Sequence, residues 1–534
     1  MKIFRFFYSL VIASIISFSF SAKAETTIYA THDSTSGSYV DYMKTVYARA
    51  GKPEIMMLSL TSFDKEFNLN GLAAESWSQS DDGLTWTFNL RDNLLWSDGE
   101  TLKASDYIFA LKRAATTGYD FGWYWSFAGG LKNWGPVTDG SMDVDQLGIK
   151  AVDDKTIEVT TETVKPYLPS VVSLWYPVPE HAWKKHGDEY AANVDTMVAS
   201  GPFMLKSWEK STNKMVLVKN PNYNAPWPSM VDSLVVDPTI GPPEVGFPAY
   251  LAGEADMTTL NAGQIPFAEK RYAENLRTNA IFAISYISYD LNAAPFDNID
   301  VRKALWYAID RDEMTSTVLK NLAIPARSLL APGFPGYNED LTKYAVFDPE
   351  KAKEHLAKAG YPNGDGFPEI EIWYRTQGGY NGAITAPMLQ YLQAEFKEHL
   401  NIDMGIKTMP ISEWYDALTN NKHNLFLSPY EYDYLDQSKF YGIFYDGGRH
   451  SHNLEAYDKL VSKADSNSDY NTRLSLYESA EMELINNASI VPLMHPITTS
   501  LVKETIKGEG ATNNSLGYAP LDNRGHYFFT HITK

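Results

Sequence analysis

The chain has 534 residues, with 46 Lys and Arg against 66 Asp and Glu for a formal net charge of −20, and it contains no cysteine. An acidic surface of this kind repels phosphate backbones and excludes nucleic acid as a partner. The missing thiols exclude disulfides, thiolate metal sites and a cysteine-linked lipid anchor. Aromatic residues reach 13%, with 34 Tyr and 13 Trp, and such rings, flat and apolar with a polar tip, suit recognition surfaces as well as cores.

The first residues read as an export signal. Lys2 and Arg5 precede the 15-residue apolar run Phe6 to Phe20, and Ala22-Lys23-Ala24 supplies a small-x-small cleavage pattern. Cleavage after Ala24 removes Lys2, Arg5 and Lys23, leaving 43 basic residues against 66 acidic and a net of −23. Roughly 510 residues remain, enough for two or three domains. No later stretch reaches about 18 uninterrupted apolar residues, so the expected location is the periplasm.

Further along, "TTIYATH" reads as a strand and "DSTSGS" as a turn-rich loop. Gly83 to Leu90, "GLTWTFNL", alternates at period two and predicts a half-buried strand. "LKASDYIFALKRAAT" predicts a helix capped by Ser105, with Ile108, Leu111 and Ala115 on one face. "LGIKAVDDKTIEVTTE" predicts a hairpin across Asp153-Asp154-Lys155. "DVRKALWYAIDRDEMTSTVLK" predicts one amphipathic helix, "DPEKAKEHLAKAG" a second opened by Asp348-Pro349, and "RLSLYESAEMELINNAS" a third. Strands and helices are mixed without strict alternation, and neither a low-complexity linker nor a fixed-period repeat appears. The domains are therefore expected to interleave.

Catalytic signatures are sparse. The patterns G-x-S-x-G, H-E-x-x-H and G-x-x-x-x-G-K-[ST] are absent, and S-x-x-K copies such as Ser62–Lys65 and Ser207–Lys210 lack their companion motifs. His450 and His452 near Asp446 are more economically solvated loop residues than metal ligands. No cofactor or metal is expected. One stretch stands out: "PYEYDYLDQSKFYGIFYDGGRH", residues 429–450, combines Glu431, Asp433, Asp436 and Asp446 with five tyrosines.

The segment "GLAAESWSQSDDGLTWTFNLRDNLLWSDGETLKASDYIFALKR", residues 71–113, resembles the extracellular solute-binding proteins of family 5, the peptide-binding components of ABC importers. Further resemblances follow in order at 199–223, 294–314 and 347–364, and "SIVPLMHPITTSLVKETIKG" is similar to the oligopeptide-binding branch. The resemblance implies an α/β fold of two lobes joined by a hinge, with an additional third domain (class C). By analogy the first lobe takes 25–70, 198–285 and 503–534, the additional domain 71–197, and the second lobe 286–502. It also implies capture of a solute by lobe closure and delivery to an inner-membrane ABC permease by a monomer.

The resemblance further places Asp433 on the carboxylate that pairs with a peptide's α-ammonium. A partly buried acid is costly without a cation, so it would select ligands that bring one. Tyr430, Tyr432 and Tyr434 would wall the site beside Glu431 and Asp436, and Arg449 would receive the ligand's carboxylate. Ser34, Thr35, Tyr286, Tyr289, Asn292, Trp414 and His495 are the other expected lining residues. A second ligand class is an oligosaccharide or opine-like conjugate, stacked on Trp123 and Trp125 in "GYDFGWYWSFAGGLKNW", which also holds Trp134. A hydrolase using Asp433 and Asp436 is the rival enzyme class.

Overall fold

A twelve-stranded sheet runs through the chain, whose computed structural model describes residues 26–31, 37–375, 382–420, 424–446, 448–450, 452–518 and 526–534. The predicted export signal and the predicted lining residues Ser34 and Thr35 lie outside the described residues. The strand order is Met404–Met409, Ile370–Arg375, Leu425–Glu431, Ala283–Ser288, Val491–Val502, Met257–Thr259, Thr27–Thr31, Ser233–Asp237, Lys214–Lys219 and Phe203–Glu209. Leu276–Ala280 and Ala323–Pro325 pair onto Val491–Val502 from off this path. Strands in the middle of the sheet read as continuous apolar runs because both faces are covered; all six residues of Ala283–Ser288 are buried.

Val491–Val502 ties the two halves of the sheet together. Its first residues pair with Ala283–Ser288 and Ala323–Pro325, and its last with Leu276–Ala280 and Met257–Thr259. The chain thus passes between the halves at two adjacent places, 281–282 and 496–497. His495 sits at this crossing, 2% exposed, with Nδ1 2.8 Å from the Ala283 carbonyl oxygen. Burial lowers its imidazole to about 4. It is therefore neutral, and its Nδ1–H donates to that carbonyl.

A separate four-stranded antiparallel sheet has the order Ala74–Gln79, Thr85–Leu90, Thr156–Thr160, Ile149–Ala151, and the hairpin predicted around Asp153 is its outer pair. In Thr85–Leu90 the alternate residues Trp86, Phe88 and Leu90 are the buried ones, as period two requires. The helix Ala104–Thr116 packs against this sheet through Tyr107, Ile108, Leu111 and Ala115. Its cap differs from expectation. Ser105 lies inside the first turn, and the Asp106 carboxylate accepts from the Lys103 backbone N–H at 2.9 Å instead. Trp96, Tyr107, Trp125 and Trp175 fill the core of this unit.

The helix expected from Asp300 onward is interrupted. Ile299–Tyr307 ends, and Asp310 opens a new turn by accepting from the backbone of Asp312 and Glu313, followed by a π-turn at Met314–Val318. An Asp side chain that captures nearby amides competes with helix continuation. The buried Arg311 guanidinium then donates to the carbonyls of Pro492, Trp306 and Ile309 around the break.

Candidate functional site

Ile370–Arg375 runs parallel to both Met404–Met409 and Leu425–Glu431. Open α/β sheets place ligands beyond the carboxyl ends of parallel strands. Arg375 ends the first of these strands, and Tyr430 and Glu431 end the third. The helix Ile411–Thr419, after the second, carries Trp414 and Tyr415 to the same edge.

Asp433 does not stand open to a ligand cation. Lys439, six residues on and almost wholly buried, ion-pairs with it; the two side chains are 2% and 20% exposed. The same ammonium donates to Tyr430 Oη at 2.7 Å and lies over the rings of Tyr430 (4.1 Å) and Trp123 (4.8 Å). Burial alone would depress the lysine. The Asp433 charge and the Tyr430 hydroxyl outweigh it, and the ammonium titrates above its ordinary value.

Two guanidiniums meet at Tyr415. Arg375 Nη1 donates to Tyr415 Oη at 3.0 Å and Arg449 Nη2 donates to the same oxygen at 3.3 Å. Arg449 also lies over the Tyr430 ring at 4.6 Å and reaches the Pro429 carbonyl at 3.4 Å. Arg375 lies over the Trp414 ring at 5.5 Å, and its Nε is buried with no hydrogen-bond partner. Burial opposes the charge of Arg449, yet the hydroxyls of Tyr286, Tyr415 and Tyr430 raise its pKa. Among the described residues, no Asp or Glu ion-pairs with either arginine.

The facing wall comes from the other side of the fold. Trp123 Nε1 donates to Tyr47 Oη at 3.1 Å, and Asp120 fixes Tyr47 by accepting from the backbone N–H groups of Val46 and Tyr47. Tyr47 is 61% exposed, Phe127 40%, Trp123 39% and Tyr415 37%. Partial burial raises the Tyr47 phenol, and the neighbouring charge of Asp433 adds to it. Phe127 rests on Gly442, where a Cβ would come within 2.7 Å of its ring.

The remaining predicted residues divide into supports and core. Asp436 is buried in a two-pronged ion pair with Arg473, at 2.6 and 3.0 Å, so it braces the loop and is closed to solute. Tyr434 stacks on Tyr167 at 5.6 Å and joins the core of the four-stranded unit, while Tyr432 packs edge-on against Phe282. Trp414 is fully buried beneath Tyr415. Tyr286 is buried and pairs its hydroxyl with His450 Nε2 at 2.6 Å. Tyr289 donates to the Ala488 carbonyl, and Asn292 donates its backbone N–H to Asp290 in an exposed turn. Trp125 and Trp134 are 1% and 4% exposed in the core, so of the tryptophan cluster only Trp123 presents a face. Glu431 lies half-buried at the strand end.

The sequence reading missed Arg375, Tyr415, Tyr47 and the role of Lys439. A strand ending in Arg ahead of the glycine-rich "TQGGYNG" was a usable signal for the first. The lysine was visible as one of few bases in an acid-rich run, but its pairing depends on how the turn folds. Among the described residues, no three His, Cys, Asp or Glu side chains converge as a metal would need, and no helix is long and apolar enough to cross a membrane.

Two lobes joined by twin crossings, with an extra unit packed beside them, define the periplasmic binding-protein fold. Residues 68–452 match the family model for the middle region of bacterial extracellular solute-binding proteins, family 5, and the chain belongs to that family. It is 30% identical over 465 residues, 84% of each chain, to the probable deoxycholate-binding periplasmic protein YgiS of Escherichia coli. It is 28% identical over 485 residues, 87% of this chain and 86% of the relative, to the dipeptide-binding protein DppE of Bacillus subtilis. Among solved structures, a periplasmic oligopeptide-binding protein of Borrelia burgdorferi matches with 28% identity and a TM-score of 0.73, covering 95% of this chain and 100% of that one.

Proposed function

We propose that this protein captures a carboxylate-bearing solute, with peptides as the leading class, and delivers it from the periplasm to an inner-membrane ABC permease without chemical change. One observation carries the reading: Arg375 and Arg449 converge on Tyr415 with no acid paired to them among the described residues, facing the exposed rings of Trp123 and Tyr47. A guanidinium fork matches a carboxylate in shape and charge. The rings supply apolar area without side-chain specificity. Relatives named for dipeptides and oligopeptides support the peptide class, and the relative named for deoxycholate supports an apolar carboxylate as a second. The oligosaccharide reading loses support because Trp125 and Trp134 are core residues.

Closure around ligand as a monomer completes the reading, since a ligand drives closure only by contacting the closed state better than the open one. Native mass spectrometry of the purified protein, with release and identification of what co-purifies, tests it. A bound organic acid or peptide, unchanged after prolonged incubation, is the expected result. A bound neutral sugar, or turnover of the bound solute, overturns it.

A further inference from the structure

We infer that the site selects solutes with a carboxylate and an apolar body but no free ammonium, because Lys439 fills from within the place a ligand's ammonium would take. The inference rests on the proposed capture of a carboxylate and adds to it. Family resemblance puts Asp433 at an ammonium anchor, and in this chain a built-in ammonium is already there. Lys439 is held by more than this one carboxylate. Tyr430 Oη accepts from it at 2.7 Å, and the Tyr430 and Trp123 rings lie against it at 4.1 and 4.8 Å. Its side chain is 2% exposed, on the short turn Ser438–Tyr441.

Admitting a second cation at Asp433 would place two ammonium groups on one carboxylate, or force the buried lysine out of its rings. Either is unfavourable, because a buried charge stripped of its partner is strongly destabilising. The local charge points the same way. Asp433 and Lys439 cancel, whereas Arg375 and Arg449 meet no carboxylate among the described residues. Two guanidiniums without an ion-paired acid among the described residues therefore stand at this edge, in a chain of net charge −20. The shared chemistry of its ligand is an anionic head on an apolar body. An N-acylated peptide and a steroid or acyl carboxylate both offer that.

Isothermal titration calorimetry on the mature protein, freed of bound solute by mild unfolding and refolding, separates the possibilities. The probes are Ala-Phe-Ala, N-acetyl-Ala-Phe-Ala, its C-terminal amide, and cholate. The N-acetyl peptide is expected to bind at least as tightly as the free one, and amidation to cost tenfold or more. Binding of cholate alone among the anions assigns the steroid source, and binding of the N-acetyl peptide alone assigns the acylated-peptide source. In Lys439→Met, Asp433 is released and the preference is expected to move at least tenfold towards the free ammonium. Should that variant misfold, the wild-type ranking still decides. A wild-type preference of tenfold or more for free Ala-Phe-Ala over its N-acetyl form overturns this inference while leaving carboxylate capture intact. Loss of binding to every carboxylate overturns both.

Discussion

Replacing Asp436 by Asn tests the reading of this residue as a brace. Its carboxylate takes both prongs of Arg473 at 2.6 and 3.0 Å and accepts from the Ser438 backbone at 3.0 Å. The two side chains are 8% and 5% exposed, and Arg473 also lies over the Tyr167 ring at 5.2 Å. Asn keeps the shape but removes the charge and turns an N–H₂ towards the guanidinium. Breaking one side of a buried pair costs about 3–5 kcal/mol, most of it from the stranded partner. Asp436→Asn is therefore expected to lower stability by about that amount. Arg473→Met in the same chain removes the stranded charge, so the double variant should lose less than the two single losses summed, with a coupling of about 1–3 kcal/mol. Urea unfolding of the four proteins, followed by tryptophan fluorescence and far-ultraviolet circular dichroism, provides the measurement. A single-variant loss below about 1 kcal/mol, or strict additivity, would refute the argument that this pair is desolvated and interdependent.

Three other outcomes follow from the geometry. Burial holds His495 and His452 neutral, at about 4 and about 3. A histidine whose folded pKa is depressed stabilises fully above its unfolded value near 6.5 and loses that stability as pH falls towards the folded value. Between pH 7 and 5 the wild type should lose about 2 kcal/mol more than His495→Gln; equal losses in thermal scans of the two would remove His495 from the account. Gly442→Val drives a side chain into Phe127, since even a Cβ would lie 2.7 Å from that ring, and overpacking of this kind costs about 1–3 kcal/mol. Affinity for the co-purifying solute should fall, and Phe127→Ala added to it should restore part of the loss in calorimetry. Trp123→Leu removes a ring over Lys439 and a donor to Tyr47; ligand affinity should drop about fivefold, in keeping with about 1 kcal/mol for such a contact, and ligand-induced fluorescence change should shrink.

Much of the fold was legible because it is written in short-range patterns. The alternation of Thr85–Leu90, the Asp348 cap of Pro349–Lys358 and the long family-like segments each depend on neighbours in sequence. The site was legible as a neighbourhood but not in its assignments. Trp123 and Trp125 are two residues apart on one tight turn, and one faces outward while the other is sealed in the core. No local property distinguishes them. Asp433 and Asp436 show the same limit. Identical in type and three apart, one pairs with Lys439 near the surface and the other with Arg473 inside, because the partners arrive from different elements. Arg375 and Arg449, 74 positions apart, meet only through Tyr415.

The strand Val491–Val502 has a mechanical consequence. Its ladder partners change between Pro496 and Ile497, beside the other crossing at 281–282, and proline brings no amide hydrogen to the ladder at that point. A twelve-residue ribbon gripped at both ends and weakened where its partners change behaves like a scored sheet of card. It folds along a single line and resists twisting about any other. If the lobes close as proposed, rotation at these two neighbouring crossings would follow one arc, and a shut molecule would offer whatever docks against it the same face each time, whichever solute is inside.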